Sequence, residues 1–262
     1  MTRPLPVSDR DRPPVRAVIF DWGGTLTPWR NVDFAEEARA LAAAAHDAGD
    51  DAAERLALAV QTVWGRSRDH HTSATVADIF EEAGLTHEEA LLAEYRAFWS
   101  PHTLTDTDVL PLFSRLRLDG VKVGVLSNTV WPRGWHEEFF ARDGVLDLID
   151  GAVYSSEIPW TKPAPEAFRA AMSAVGVEDP AACVFVGDRL FDDIWGASAV
   201  GMRTIHVPHS DIPVEQVGHT GGRARRGRRP ARARLRRGGR LAQPGPHEQP
   251  GLELARPGER SR

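Results

Sequence analysis

Three apolar, β-branched stretches of this chain each end on side chains able to do chemistry. Val15–Phe20 runs into Asp21, Val121–Leu126 into Ser127 and Asn128, and Cys183–Val186 into Gly187 and Asp188. A second acid pair, Asp192 and Asp193, follows shortly. Only two lysines occur in the chain, Lys122 and Lys162, so chemistry that needs a lysine must use one of them. A carboxylate such as Asp21 can attack a phosphoryl group and split a difficult hydrolysis into two easier steps. The obstacle is charge, because Asp21, Asp188 and Asp193 would crowd an anionic phosphate. A hard divalent cation with oxygen ligands is the natural remedy, and Mg²⁺ commonly takes one or two carboxylates, waters and a phosphate.

The elements that must position these residues follow from the pattern around them. Val15–Phe20 reads as a buried strand entering a tight loop at Gly23 and Gly24. Stretches 33–47, 51–64, 74–83 and 87–99 are rich in Ala, Leu and Glu and predict helices, with Thr86 and Glu89 spaced as a capping box. No strand candidate interrupts them. Alternation then begins: helix 108–118, strand 121–126, helix 134–141, a short strand at 152–154, a helix opened by Lys162 and Pro163 and running to about Ala174, strand 183–186, helix 190–199 and strand 204–207. Strands alternating with helices imply an α/β fold, a Rossmann-like parallel sheet with helices on both faces. Ligands in such sheets bind beyond the carboxyl ends of the strands, where the residues above are expected.

Four motifs in order give the sequence a specific resemblance. Val18-Ile19-Phe20-Asp21-Trp22-Gly23-Gly24-Thr25-Leu26-Thr27, Leu126-Ser127-Asn128, Lys162-Pro163-Ala164-Pro165 and Gly187-Asp188 with Asp192, Asp193, Gly196 and Ala197 resemble the four motifs of the haloacid dehalogenase-like (HAD) hydrolases. The resemblance covers about residues 15–210 and implies a core at 15–30 and 106–220 with an all-helical cap at 31–105. It implies Asp21 as nucleophile, and Asp21, Asp188 and the Gly23 carbonyl as Mg²⁺ ligands, with Asp193, rather than Asp192, orienting a metal-bound water. It further implies Lys162 on Asp21 and on the phosphoryl oxygens, Ser127 and Asn128 as phosphate contacts, and Gly24 and Thr25 as the backbone that approaches the phosphate. The activity implied is a phosphatase acting on a small phosphorylated metabolite through an aspartyl-phosphate.

The departure is at Gly23, where most HAD phosphatases carry the Asp that protonates the leaving group and activates water. Glycine can do neither, and general acid–base help is worth about 10²–10⁴-fold. Three explanations stand: a leaving group acidic enough to depart unprotonated, a proton donor in the cap (Asp69, His70 or His71), or loss of turnover that leaves a binding protein. Phosphonatases share an Asp-Trp-x-Gly motif but need a cap lysine, and residues 27–110 contain none. Haloacid dehalogenases carry Asp-x-Tyr and need no metal, against which Gly23 and the acidic cluster argue.

Every one of these residues also has a purely structural reading. Asp188 could be a helix N-cap, Asp192 and Asp193 could answer the helix dipole, and the eight tryptophans suit packing better than binding, although Trp22 and Trp29 flank the first motif. Cys183, the single cysteine, sits in an apolar run as an inert thiol. The net charge of −5 hides a split. Residues 221–262 hold thirteen arginines and three glutamates, whereas the first 220 residues hold nineteen basic and thirty-four acidic side chains. This Arg/Gly/Pro-rich tail and residues 1–14 are expected to be disordered. The tail lacks aromatics for base stacking and the body is acidic, so nucleic-acid binding is not expected, although a binding protein using its Arg tail is the rival to the enzyme. An abrupt Arg/Gly/Pro/Ala composition is also what GC-rich DNA yields in a shifted frame, and reading the coding DNA in the other two frames decides it. Without a long apolar stretch or a secretory signal, the expectation is a cytoplasmic protein with no membrane partner.

Overall fold

The computed structural model describes residues 12–30, 32–33, 35–37, 39, 51–86 and 89–208. The expected helix at 33–47 and N-terminal segment 1–14 fall largely outside these residues, and the Arg-rich tail wholly so. Five strands form one parallel sheet in the order β3-β2-β1-β4-β5: β1 (Ala17–Phe20), β2 (Lys122–Ser127), β3 (Gly151–Tyr154), β4 (Cys183–Gly187) and β5 (Arg203–His206). The expected Rossmann-like architecture is the one observed. The chain leaves the central β1 first toward β2 and β3, then crosses back to β4 and β5. The carboxyl ends of β1 and β4 therefore flank the point where strand order reverses, the usual ligand crevice of such sheets.

Strand side chains alternate between two cores, as the two-residue period requires. Val18 and Phe20 of β1, Val123 and Val125 of β2 and Val184 and Val186 of β4 face one cluster. Ala17, Ile19, Leu126, Val153, Cys183 and Phe185 face the other. The second cluster is covered by α6 (Pro165–Ala174), which opens on Pro165 and buries Ala167, Phe168, Ala171 and Met172. Cys183 is buried there as a free thiol whose pKa burial pushes up to about 11.

Three helices lie between β1 and β2 along the chain: α1 (Ala52–His70), α2 (Val76–Glu82) and α3 (Glu89–Trp99). α1 buries Leu56, Ala59, Val63 and Ser67, a stripe at three- and four-residue spacing, and runs longer than the predicted 51–64. α2 opens with a capping box, but at Thr75 and Asp78. The predicted box at Thr86 spans residues 87 and 88, outside the described ones. α4 (Val109–Leu118) and α5 (Arg133–Arg142) follow before and after β2. Aromatics join the helices to the sheet. The ring of Trp131 lies 5.4 Å from Trp22, 5.4 Å from Trp99 and 6.4 Å from Tyr95, all edge-on. Trp22 therefore packs as core, while Trp160 and Trp195 are exposed. Among the described residues no helix is long and apolar enough to cross a membrane.

One element differs from expectation. Residues 190–199 form a π-turn at Leu190–Trp195 and then a short α7 (Gly196–Ala199) instead of one α-helix. The Asp193 carboxylate accepts the Arg189 N–H at 2.8 Å, and the wider turn buries Asp193 completely. Such π-turns recur where a helix must re-aim a functional side chain.

Candidate active site

Asp21 leaves the end of β1 with its N–H on the Val186 carbonyl at 2.8 Å, which ties the first loop to β4. Trp22 anchors that loop: its carbonyl accepts from Thr25, Leu26 and Thr27, while the Gly24 N–H bonds the Thr27 carbonyl at 2.7 Å. Gly24 has φ +85, and a Cβ there would stand 2.6 Å from Asp188 Oδ2, so only glycine lets the two loops meet. At Gly187 a Cβ would collide with the Asp193 carboxylate.

Lys162 is the centre of the site. Its buried ammonium donates to Asp21 Oδ1 at 2.5 Å and to Asp193 Oδ1 at 2.7 Å. Burial alone would lower the Lys162 pKa, but Asp193 and Asp21 outweigh it and hold the ammonium above its ordinary value. Asn128 grips the Lys162 backbone: Nδ2 donates to its carbonyl at 3.0 Å and Oδ1 accepts from its N–H at 2.8 Å. Ser127, buried at the end of β2, and Thr25, whose Oγ1 lies 3.4 Å from Asp21 Oδ2, complete the ring.

Asp188 is the unbalanced member. Both of its carboxylate oxygens are buried and have no hydrogen-bond partner, so it does not act as an N-cap. Arg189 Nε lies 3.4 Å away, a charge contact without hydrogen-bond geometry. Burial, then the charges of Asp21 and Asp193, push the Asp188 pKa up to about 8. Burial likewise pushes Asp193 up to about 6, against the pull of Lys162. Oxygens of Asp21, Asp188 and Asp193 all lie within 4.8 Å of one another. Three carboxylates around one ammonium, with two bare buried oxygens, fit a hard divalent cation such as Mg²⁺. Asp192 stays half-buried outside this group.

The remaining sequence candidates lie farther out. Trp29 sits under the Arg189 guanidinium, 5.1 Å from ring to charge. Asp69 and His70 are exposed, whereas His71 is partly buried beside Phe191, with 6.1 Å between ring centroids. Sequence reasoning missed the buried His136, which stacks on Tyr154 at 4.4 Å and meets Trp22 edge-on at 4.5 Å. Its only signal was its place in a helix among aromatics.

The family model for haloacid dehalogenase-like hydrolases matches residues 15–201. The chain belongs to that family. It is a HAD hydrolase, and the match spans strands β1 to β4, their loops and the acidic cluster. It is 32% identical over 200 residues to a glyceraldehyde 3-phosphate phosphatase of Methanopyrus kandleri, covering 74% of this chain and 84% of that one. It is 29% identical over 220 residues to a phosphoglycolate phosphatase of Rhodospirillum rubrum, covering 78% and 84%. The crystal structure of a HAD phosphatase from Thermococcus onnurineus shares the fold, with a TM-score of 0.56, 24% identity and coverage of 76% and 89%.

Proposed function

We propose that this HAD hydrolase is a Mg²⁺-dependent phosphatase that transfers the phosphoryl group of a small phosphorylated metabolite to Asp21 and then to water. The observation that carries the reading is Lys162 bridging Asp21 and Asp193 while the bare Asp188 carboxylate faces both. Asp21, Asp188 and the Gly23 carbonyl would hold Mg²⁺, with Asp193 behind them. When bound, the ion supplies the positive charge that offsets the carboxylates and the phosphate.

The chain's own residues do the rest. Asp21 Oδ1 is held by Lys162, which aims the carboxylate. The Oδ2 atom forms the bond to phosphorus as the ester oxygen leaves. Lys162, Ser127 and the backbone at Gly24 and Thr25 receive the phosphoryl oxygens. Asn128 acts as a positioning residue for Lys162. Water then attacks phosphorus and restores Asp21. The helices of residues 31–105 serve as a cap that closes over the core of residues 15–30 and 106–220 and excludes bulk water. The named phosphatases among its relatives support this substrate class, which suits a cytoplasmic enzyme.

Gly23 favours one rival, a binding protein that has lost turnover. A binder needs no nucleophile, so Asp21→Asn would leave its affinity intact. The deciding experiment is phosphate release from a panel of phosphorylated metabolites with Mg²⁺ and with EDTA, using Asp21→Asn as control. Metal-dependent release abolished in the variant is the expected result. A folded, Mg²⁺-binding protein that releases no phosphate would sink the reading.

A further inference from the structure

Two cations act on Asp188, Arg189 and Lys162. Lys162 is buried and taken up by Asp21 and Asp193. Arg189 has a side chain 24% exposed, and it stands at the rim of the same site. Its backbone N–H donates to Asp193 Oδ2 at 2.8 Å, so the acidic cluster itself fixes where the side chain starts. Its Nε lies 3.4 Å from Asp188 Oδ2. That oxygen is the one 2.6 Å from where a Cβ on Gly24 would stand. Arg189 and the loop that approaches the phosphate therefore meet at one carboxylate oxygen.

The guanidinium lies over the Trp29 ring, 5.1 Å from its centroid. Trp29 is carried by the segment that leaves the first loop, just past the bridge between Gly23 and Thr27. The donors of a guanidinium lie in its own plane, so stacking on an indole orients them without using them. The Trp29 Nε1–H is itself buried and has no hydrogen-bond partner. A buried donor without an acceptor is costly, and a bound ligand relieves it. An oriented planar cation beside an orphaned N–H is the donor set that a carboxylate fits, because its two oxygens match the guanidinium fork.

We infer that Arg189, seated on Trp29 with the indole N–H beside it, binds a carboxylate of the substrate. The preferred substrate is then a phosphate monoester of a short hydroxy acid. The chain is short because Arg189 already touches a carboxylate of the phosphate site, which leaves only a few bonds between the two anionic groups. The substrate named here rests on the phosphatase reading, whereas the carboxylate site is testable by binding alone.

The test has a binding arm and a turnover arm. Calorimetry with Mg²⁺ compares phosphonoacetate, which carries both anionic groups and no ester bond, with methylphosphonate, which lacks the carboxylate. Wild type is expected to bind phosphonoacetate about 10–10²-fold more tightly. Arg189→Met keeps the backbone bond to Asp193 and is expected to lose that preference. Trp29→Phe keeps a ring under the guanidinium, removes only the N–H, and is expected to narrow the preference several-fold. In turnover, Arg189→Met should lower kcat/KM on phosphoglycolate by about 10–10²-fold, mainly through KM, with a loss at least about tenfold smaller on glycerol phosphate. Equal losses on the two esters would assign Arg189 to the phosphoryl group or to Asp188 and overturn the inference. So would a wild type that binds both phosphonates alike, a preference that survives Arg189→Met, or, should that variant not fold, one undiminished in Trp29→Phe. A wild type that prefers phosphonoacetate yet releases no phosphate from any ester would remove the phosphatase reading and leave the carboxylate site standing.

Discussion

Both ends of the Asn128 amide close on the backbone of Lys162, one donating at 3.0 Å and one accepting at 2.8 Å. The two residues are 34 positions apart and come from different loops, so this clamp joins the end of β2 to the lysine that aims the nucleophile. Asn128→Ala is expected to lower kcat on p-nitrophenyl phosphate by about 10²-fold through misplacement of Lys162. It should also cost about 1–3 kcal/mol in urea unfolding, since two backbone groups lose their partner. Stability lost with kcat intact would mean that the clamp serves the fold alone.

Asp188 and Lys162 should respond to metal in opposite ways. Without Mg²⁺, Asp188→Asn is expected to be more stable than wild type, because it removes one of three clustered buried carboxylates. Lys162→Gln should lose about 3–5 kcal/mol, because Asp21 and Asp193 then share no cation. Wild type should gain about 3 kcal/mol when Mg²⁺ exceeds its Kd a hundredfold, and Asp188→Asn should gain almost nothing. Urea titrations with Mg²⁺ and with EDTA read all of these. A Mg²⁺ gain that survives in Asp188→Asn would place the ion elsewhere.

Gly24→Ala tests the close approach of the two loops. The new methyl would stand 2.6 Å from Asp188 Oδ2 at a backbone φ of +85. Loss of roughly 1–2 kcal/mol from backbone strain is expected. A marked loss of Mg²⁺ affinity, measured by calorimetry, should accompany it as Asp188 is pushed aside. Unchanged affinity would show that Asp188 does not need its present position.

Much of this was legible in the sequence, because strongly apolar strands and polar strand ends are local signals. The run Val15–Phe20 announced the buried strand found at Ala17–Phe20, and Asp21, Ser127 and Asp188 stood where parallel strands present ligands. Lys162 was marked by the scarcity of lysine. What stayed hidden depends on contacts between distant segments. The amide of Asn128 looked like a phosphate ligand because nothing local revealed its grip on Lys162. The Leu190–Trp195 turn has helical composition, and periodicity does not separate a π-turn from an α-helix. The stitching of His71–Ser73 onto Pro159–Thr161 joins segments some ninety residues apart.

His136 should leave a mark on acid stability. Burial, helped by the Arg133 charge, pushes its pKa down to about 3, against 6.5 for a free imidazole. A depressed folded pKa on a base means the unfolded state takes up the proton first. The stability from neutral His136 is therefore complete above about pH 6.5 and lost as pH falls toward 3. Between pH 6.5 and 4.5 wild type should lose about 2 kcal/mol more than His136→Gln, whose amide keeps a partner for Thr129 and does not titrate. The difference between the two urea series isolates this group from the carboxylates, among them Asp188 and Asp193, whose raised pKa values act in the opposite direction. Parallel series would show that His136 is already charged in the fold.

The most direct measurement is of the covalent intermediate. Wild-type protein turning over an excess of p-nitrophenyl phosphate with Mg²⁺ is quenched in acid, digested and weighed by mass spectrometry. A phosphoryl group on the peptide that carries Asp21, lost in Asp21→Asn and lost when EDTA replaces Mg²⁺, is the expected result. Turnover at full rate with that peptide unmodified, or with the label on another residue, would contradict Asp21 as the nucleophile.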